Sequence, residues 1–179
     1  MTYRVALAED SGLETGTVDL VTVAQALHWF DLPRFYAEVG RVLAPDGVIA
    51  AWSYQLASVD ARVDRVIRHL YVDVVGAYWP PERALVERGY ASLSFPFAEI
   101  PPPPFLMEET WDLAQLVGYL GTWSAVQRYR EKIRGDPIER VRPDLKRAWG
   151  DPEGPRVVRW PLSLRAGRKG IPQNGRGPL

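Results

Sequence analysis

The chain contains no cysteine. Disulfides, thiolate chemistry and cysteine-based zinc sites are excluded with it. Imidazole is nearly as scarce, since only His28 and His69 can supply it. They stand far apart in sequence, and neither has carboxylates spaced to complete a site, so no metal is expected. Neither sign of charge dominates. Lys plus Arg number 22, Asp plus Glu number 22, and the formal net charge is +0. A broad electrostatic grip on nucleic acid needs clustered excess cations, so no nucleic-acid partner is expected. Only the extreme C-terminus is basic. No stretch approaches the ~20 consecutive apolar residues that span a bilayer. The first ten residues carry an early Arg4 and an apolar stretch too short for a signal peptide. The expectation is a cytoplasmic protein without a membrane partner.

What remains is ordinary globular material. Over 179 residues, 46% are hydrophobic and 25% charged, which suits one domain with a sizeable core. Tyr3 to Ala8 reads as a short strand, and Asp10-Ser11-Gly12 as a turn. Val18 to Ala24 is β-branched and apolar at nearly every position, as in a parallel strand buried on both faces. Asp31 can cap the following helix with Pro33 in its first turn, and Phe35, Val39, Val42 and Leu43 form its apolar stripe. Pro45-Asp46-Gly47 stops that helix before a second buried strand, Val48 to Trp52. Strand, helix and strand together make a βαβ unit in a parallel sheet.

A longer helix is expected from about Ser58 to Gly76, and a short one from Pro80 to Gly89. Leu93 to Ile100 reads as a strand and Pro101 to Pro104 as a stiff spacer. Thr110 can cap a helical stretch reaching about Ile133. A last helix, Pro137 to Trp149, should be interrupted at Pro143. Val158, Trp160, Leu162 and Leu164 alternate as a final strand, with a bulge or an edge at Pro161. Residues from Lys169 onward read as a disordered basic tail.

Three segments resemble one family. They are Ala8-Glu9, then Val18 to Asp31 (VDLVTVAQALHWFD), then Arg41 to Gly47 (RVLAPDG). In this order they look like the middle of a class I S-adenosylmethionine (SAM)-dependent methyltransferase, closest to the trans-aconitate type. The likeness extends through Trp111 to Arg130, with TWSAVQRYR, and through Trp160 to Arg168 (WPLSLRAGR). It implies an α/β, Rossmann-like sheet with flanking helices and a late antiparallel strand pair, in one partial domain over residues 3–168. No glycine-rich loop follows any strand here. By resemblance, the first two strands of the family's sheet are lacking, and the cofactor site is expected to be incomplete. The Val18 to Ala24 strand would then carry a bare edge open to self-association or to a partner.

The resemblance also nominates residues at the carboxyl ends of the strands, where open α/β sheets bind ligands. Ala8 and Glu9 would meet the adenine, and Ala24 and Gln25 the methionine part of SAM. His28 would act on the substrate as a base or orient a carboxylate. Trp29 offers an aromatic face to a sulfonium or substrate. Tyr54 would reach substrate with its hydroxyl. Trp52, Trp123 and Ser124 would line the substrate pocket, while Trp111 and Tyr119 read as core. Arg128 and Arg130 could pair with a carboxylate. The expected activity is methyl transfer from SAM to oxygen in a small molecule, with carboxylic acids as candidates. Two alternatives stand beside it. One is a catalytically inactive remnant or binding subunit, and the other is a different nucleotide-binding α/β protein such as a nicotinamide enzyme.

Overall fold

The computed structural model describes residues 1–170. Its five strands form one mixed sheet in the order β1-β2-β5-β3, with β4 also paired to β5. The chain divides into two compact units. The first comprises Met1–Tyr54, Ala84–Phe105 and the stretch from Leu162 on; the second comprises Gln55–Arg83 and Leu106–Pro161. No helix among the described residues is long and apolar enough to cross a membrane.

The first unit is built on the expected βαβ element. Strand β1 (Val18–Ala24) pairs parallel with β2 (Leu43–Tyr54), Val21 opposite Ile49 and Ala24 opposite Trp52. Helix α1 (Leu32–Val42) connects them. Its first turn is closed by the Asp31 carboxylate, which accepts from Arg34 N–H, and a proline sits where a missing N–H is harmless. Phe35 and Val39 share one buried cluster with Val23, Leu43, Ile49 and Ala51, and Val42 is buried as well.

β2 begins earlier than Val48 because Leu43 already pairs with Val18. The Pro45-Asp46-Gly47 kink is absorbed within the element, Asp46 taking a left-handed φ of 65°. A Cβ on Gly47 would sit 3.0 Å from the Ala44 carbonyl and 3.1 Å from that of Val18, so any side chain there would push on two backbone carbonyls.

Burial corrects one expectation. β1 is the terminal strand of the sheet, and only Val23 of its residues is buried; Leu20 is 54% exposed. A strand covered on one face needs only its inward residues hydrophobic.

Tyr3 to Ala8 also differs from expectation. It makes a single isolated bridge, Leu7 to Asp10, and Tyr3, Val5 and Leu7 are exposed. With no strand beside it among the described residues, its backbone has no ladder to join. The segment that follows is held instead by side chains. Glu38 accepts from Ser11 N–H at 2.9 Å, Ser11 Oγ at 2.6 Å and Arg41 at 2.7 Å. Arg41 also donates to the Leu13 carbonyl and Thr15 Oγ1.

Strand β5 (Arg156–Arg168) runs antiparallel to β2 and to the short β3 (Ala98–Ile100), so Leu93 to Phe97 stays outside the strand. Pro161 stands one residue beyond Leu162, where the β2 ladder ends at Tyr54, so its missing N–H interrupts no pair of that ladder. Lys169 continues in order: its N–H donates to the Gly47 carbonyl and its Nζ to that of Leu43. The rest of the expected tail, from residue 171, lies outside the described residues.

The second unit is mainly helical. α2 (Ala61–His69) is capped by Asp60, which accepts from Arg62 and Val63 N–H and pairs with Arg156. It runs into a π turn over Leu70–Val74. The short α3 (Arg83–Glu87) comes next in the chain, and from Ala84 on it belongs to the first unit. Thr110 is not a cap, because it lies in strand β4 (Phe105–Trp111). Asp112 starts α4 (Leu113–Gly121) instead, in a reciprocal box with Gln115. α5 (Ser124–Ile133) and α6 (Pro137–Trp149) complete the unit. α6 passes through Pro143 without interruption, since Ile138 and Val141 before it and Leu145 and Trp149 after it are all buried. Packing on both sides outweighs the local cost of about 3 kcal/mol.

Two stability predictions follow from these contacts. The Glu38 carboxyl is held down to about 2 from its ordinary 4.5, chiefly by the Arg41 hydrogen bonds and then by Ser11. A folded pKa below the unfolded one contributes stability that is present above pH 4.5 and lost as pH falls from 4.5 towards 2. Urea denaturation across that window should show the loss in the wild type and a flatter profile in Glu38→Gln, which should also be weaker at pH 7 by about 2 kcal/mol. Pro143→Ala should raise stability by about 1–2 kcal/mol by restoring a helix hydrogen bond.

Candidate active site

Parallel pairing sends β1 and β2 out of the sheet in the same direction, so the residues after both strands emerge side by side. Gln25 links them. Its N–H donates to the Trp52 carbonyl at 2.8 Å, and its side-chain Oε1 accepts from Tyr54 N–H at 3.0 Å. It does so from a left-handed φ of 52°, uncommon for a residue with a side chain. That turn directs the chain into the single 3-10 turn Leu27–Trp29. Leu27 is fully buried and anchors the turn, His28 is half-buried and Trp29 is 58% exposed. The imidazole and indole rings lie 4.6 Å apart.

His28 Nδ1 lies 2.9 Å from the hydroxyl of Tyr90. Tyr90 was not foreseen. It stands 62 residues away on a loop after α3, and nothing in the local sequence marks it. It is fully buried and held in place by Arg165. The Arg165 guanidinium donates to the carbonyls of Tyr90 at 3.0 Å and Leu93 at 2.7 Å, pairs with Glu99 at 2.5 Å and lies over the Phe95 ring. Nearby Tyr36 has no hydrogen-bond partner for its hydroxyl among the described residues. Burial pushes its pKa up, opposed by the charge of Arg165.

Ala8 lines an open cleft of about 300 Å³ with Val21, Ala24, Phe30 and Phe35. The Glu9 carboxylate accepts from Asp31 N–H at 2.9 Å, which ties the early segment to the start of α1. Ala24 is exposed at its strand end. Trp52 is half-buried on the opposite sheet face, beside Phe105, Leu162 and Leu164.

After β1 the structure places Gln25, His28 and Trp29 in one turn, joined to the Tyr54 backbone through the Gln25 amide, while the Tyr54 side chain, two residues along the strand from Trp52, falls on the sheet face of Trp52. Trp123 and Ser124 belong to the second unit. Trp123 is buried among Tyr71, Trp79 and Tyr119, while Ser124 is exposed at the start of α5. Trp111 and Tyr119 pack on Trp160, whose indole N–H donates to the Tyr119 hydroxyl. Arg130 is committed to Asp136 and the Gly121 carbonyl.

Comparison with known proteins places this arrangement. Residues 1–51 match a family model described as a methyltransferase domain. The solved structure of a "putative type II methyltransferase" from Anaeromyxobacter dehalogenans is 50% identical, covers 94% of this chain and 72% of its own, and superposes with a TM-score of 0.88. A "putative methyltransferase" of Dictyostelium discoideum is 30% identical over 155 residues, 85% of this chain. The chain spans 59% of that relative's length. A "probable S-adenosylmethionine-dependent methyltransferase" of Saccharomyces cerevisiae is 39% identical over 44 residues, 25% of this chain and 15% of its own. The chain belongs to the class I SAM-dependent methyltransferase family.

Gln25 offers a local test of the geometry. Gln25→Ala removes the amide that satisfies Tyr54 N–H and keeps the left-handed strain, and should cost about 1–2 kcal/mol in urea denaturation. Gln25→Gly loses the same bond but relaxes the backbone, and should be more stable than Gln25→Ala by about 1 kcal/mol.

Proposed function

We propose that this chain transfers a methyl group from SAM to a carboxylate oxygen of a small acid. The observation that supports the reading is that Gln25 joins the ends of two parallel strands in a methyltransferase fold and leads directly into the turn that holds His28. SAM supplies a methyl group already activated on a sulfonium. The chain's residues then have to bind, align and exclude water rather than generate a strong nucleophile.

The residues present fit part of such a group. Ala24 is small and exposed, so a ligand can approach the backbone at the strand end. Gln25 turns the chain away from that point. Trp29 offers an exposed aromatic face near it, suited to a positive sulfonium. Ala8 and Glu9 stand on the segment tied to α1 and would meet the adenine side of the cofactor. His28 would hold one oxygen of the substrate carboxylate while the other accepts the methyl carbon. A carboxylate is ionised at neutral pH, so no proton needs to leave it. The bare edge of β1 is a place where a further strand, from a second copy or a partner, would add to the sheet.

A SAM titration of the ¹⁵N-labelled chain tests this directly. Amide shifts should concentrate at Glu9, Ala24, Gln25 and His28, and radiolabelled methyl should pass to at least one member of a panel of short di- and tricarboxylic acids. His28→Ala should lower that transfer by about 100-fold. Shifts confined to other regions at millimolar SAM, or no labelled ester from any acid, would sink the proposal.

A further inference from the structure

Tyr90 occupies a position that the chain reaches only through an unfavourable backbone. α3 ends in two consecutive left-handed residues, Gly89 at φ 57° and Tyr90 at φ 62°. A glycine adopts that region at no steric cost, but a tyrosine does not. The conformation is fastened from three directions. Tyr90 N–H donates to the Leu85 carbonyl at 2.9 Å, Leu93 N–H donates back to the Tyr90 carbonyl at 3.0 Å, and Arg165 donates to that same carbonyl from β5. Strain of this kind persists where surrounding structure over-determines it, and it clusters at functional sites. Its consequence here is specific, because it sets a fully buried phenol 2.9 Å from His28 Nδ1, with the two rings 5.9 Å apart and 27° from parallel.

A neutral imidazole has one donor nitrogen and one acceptor nitrogen, and its neighbours decide which is which. A phenol is a stronger donor than acceptor, and an unprotonated imidazole nitrogen is a stronger acceptor than a phenol oxygen. We propose that Tyr90 is a positioning residue that donates its O–H to His28 Nδ1 and so holds the imidazole with its proton on Nε2. His28 then presents a hydrogen-bond donor to the substrate. That suits an oxygen that is already anionic and disfavours a neutral hydroxyl, which would need the imidazole as a base. The Arg165 clamp on the Tyr90 and Leu93 carbonyls keeps the phenol aligned. This inference rests on the reading of His28 as the group that meets a carboxylate.

The chain has only two histidines, which makes the test clean. ¹⁵N-histidine labelling with long-range ¹H–¹⁵N correlation at pH 8 reads the tautomer of each, and His69→Gln assigns them. The expected result is a His28 with Nε2 protonated and Nδ1 unprotonated but hydrogen-bonded. In Tyr90→Phe, the Nδ1 resonance should move to the position of an unbonded nitrogen while the His69 signals stay in place. A protonated Nδ1 in the wild type, or an unchanged Nδ1 resonance in Tyr90→Phe, overturns the inference. The wild-type tautomer decides the matter even if the variant fails to fold. The spectrum requires no cofactor or substrate, so it separates the two proposals. The expected tautomer in a chain that methylates no acid sinks only the functional reading, and the reverse tautomer in an active chain sinks only the role of Tyr90.

Discussion

The first unit depends on one constraint: β1 and β2 must pair in parallel, with Val23, Ile49 and Ala51 turned towards α1. Side chains alternate across a strand, so a slip of one residue would turn Ile49 and Ala51 outward and bring Ala50 and Trp52 in. The deep burial of Leu43, Ile49 and Ala51 opposes any such slip. Gln25 carries the same register into the site, since its two hydrogen bonds reach Trp52 and Tyr54 only when Ala24 stands opposite Trp52. The geometry at the strand ends thus follows from core packing.

Around this frame, arginines organise the segments that lack regular structure. Arg41, with Glu38, gathers the chain from Ser11 to Thr15 against α1. Arg165 does the same for the loop after α3 by satisfying two of its carbonyls while stacking on Phe95. A planar guanidinium with five donors can serve several acceptors in fixed directions, which an ammonium group cannot. The second of these clamps holds its loop beside His28. Glu9 adds a third tie by bonding the first residue of the α1 cap.

These ties suit the chemistry of the family. In the function proposed for the chain the methyl group would arrive activated, so the protein's contribution would be alignment, which requires loops that do not wander. A half-buried imidazole with one nitrogen fixed by a buried phenol is an oriented group of this kind. The exposed Trp29 beside it supplies apolar surface without a rigid partner of its own in the core.

Local chemistry settled much of this in advance. The parallel strands, the Asp31 cap, the buried face of α1 and the final alternating strand were all legible, because periodicity, capping and turn residues act over a few positions. Motif order was enough to indicate the methyltransferase family. Tertiary structure decided the rest. Tyr3 to Ala8 is apolar enough for a strand yet forms none, since a strand exists only through its neighbour. Pro143 should break a helix, but buried residues on both sides carry α6 through it. Thr110 reads as a helix cap in the sequence, yet β4 claims it and Asp112 starts α4 instead. The meeting of His28 with Tyr90 was invisible for the same reason: two side chains 62 residues apart are brought together by the packing of a loop that Arg165 holds from a distant strand, and no local pattern encodes a contact of that range.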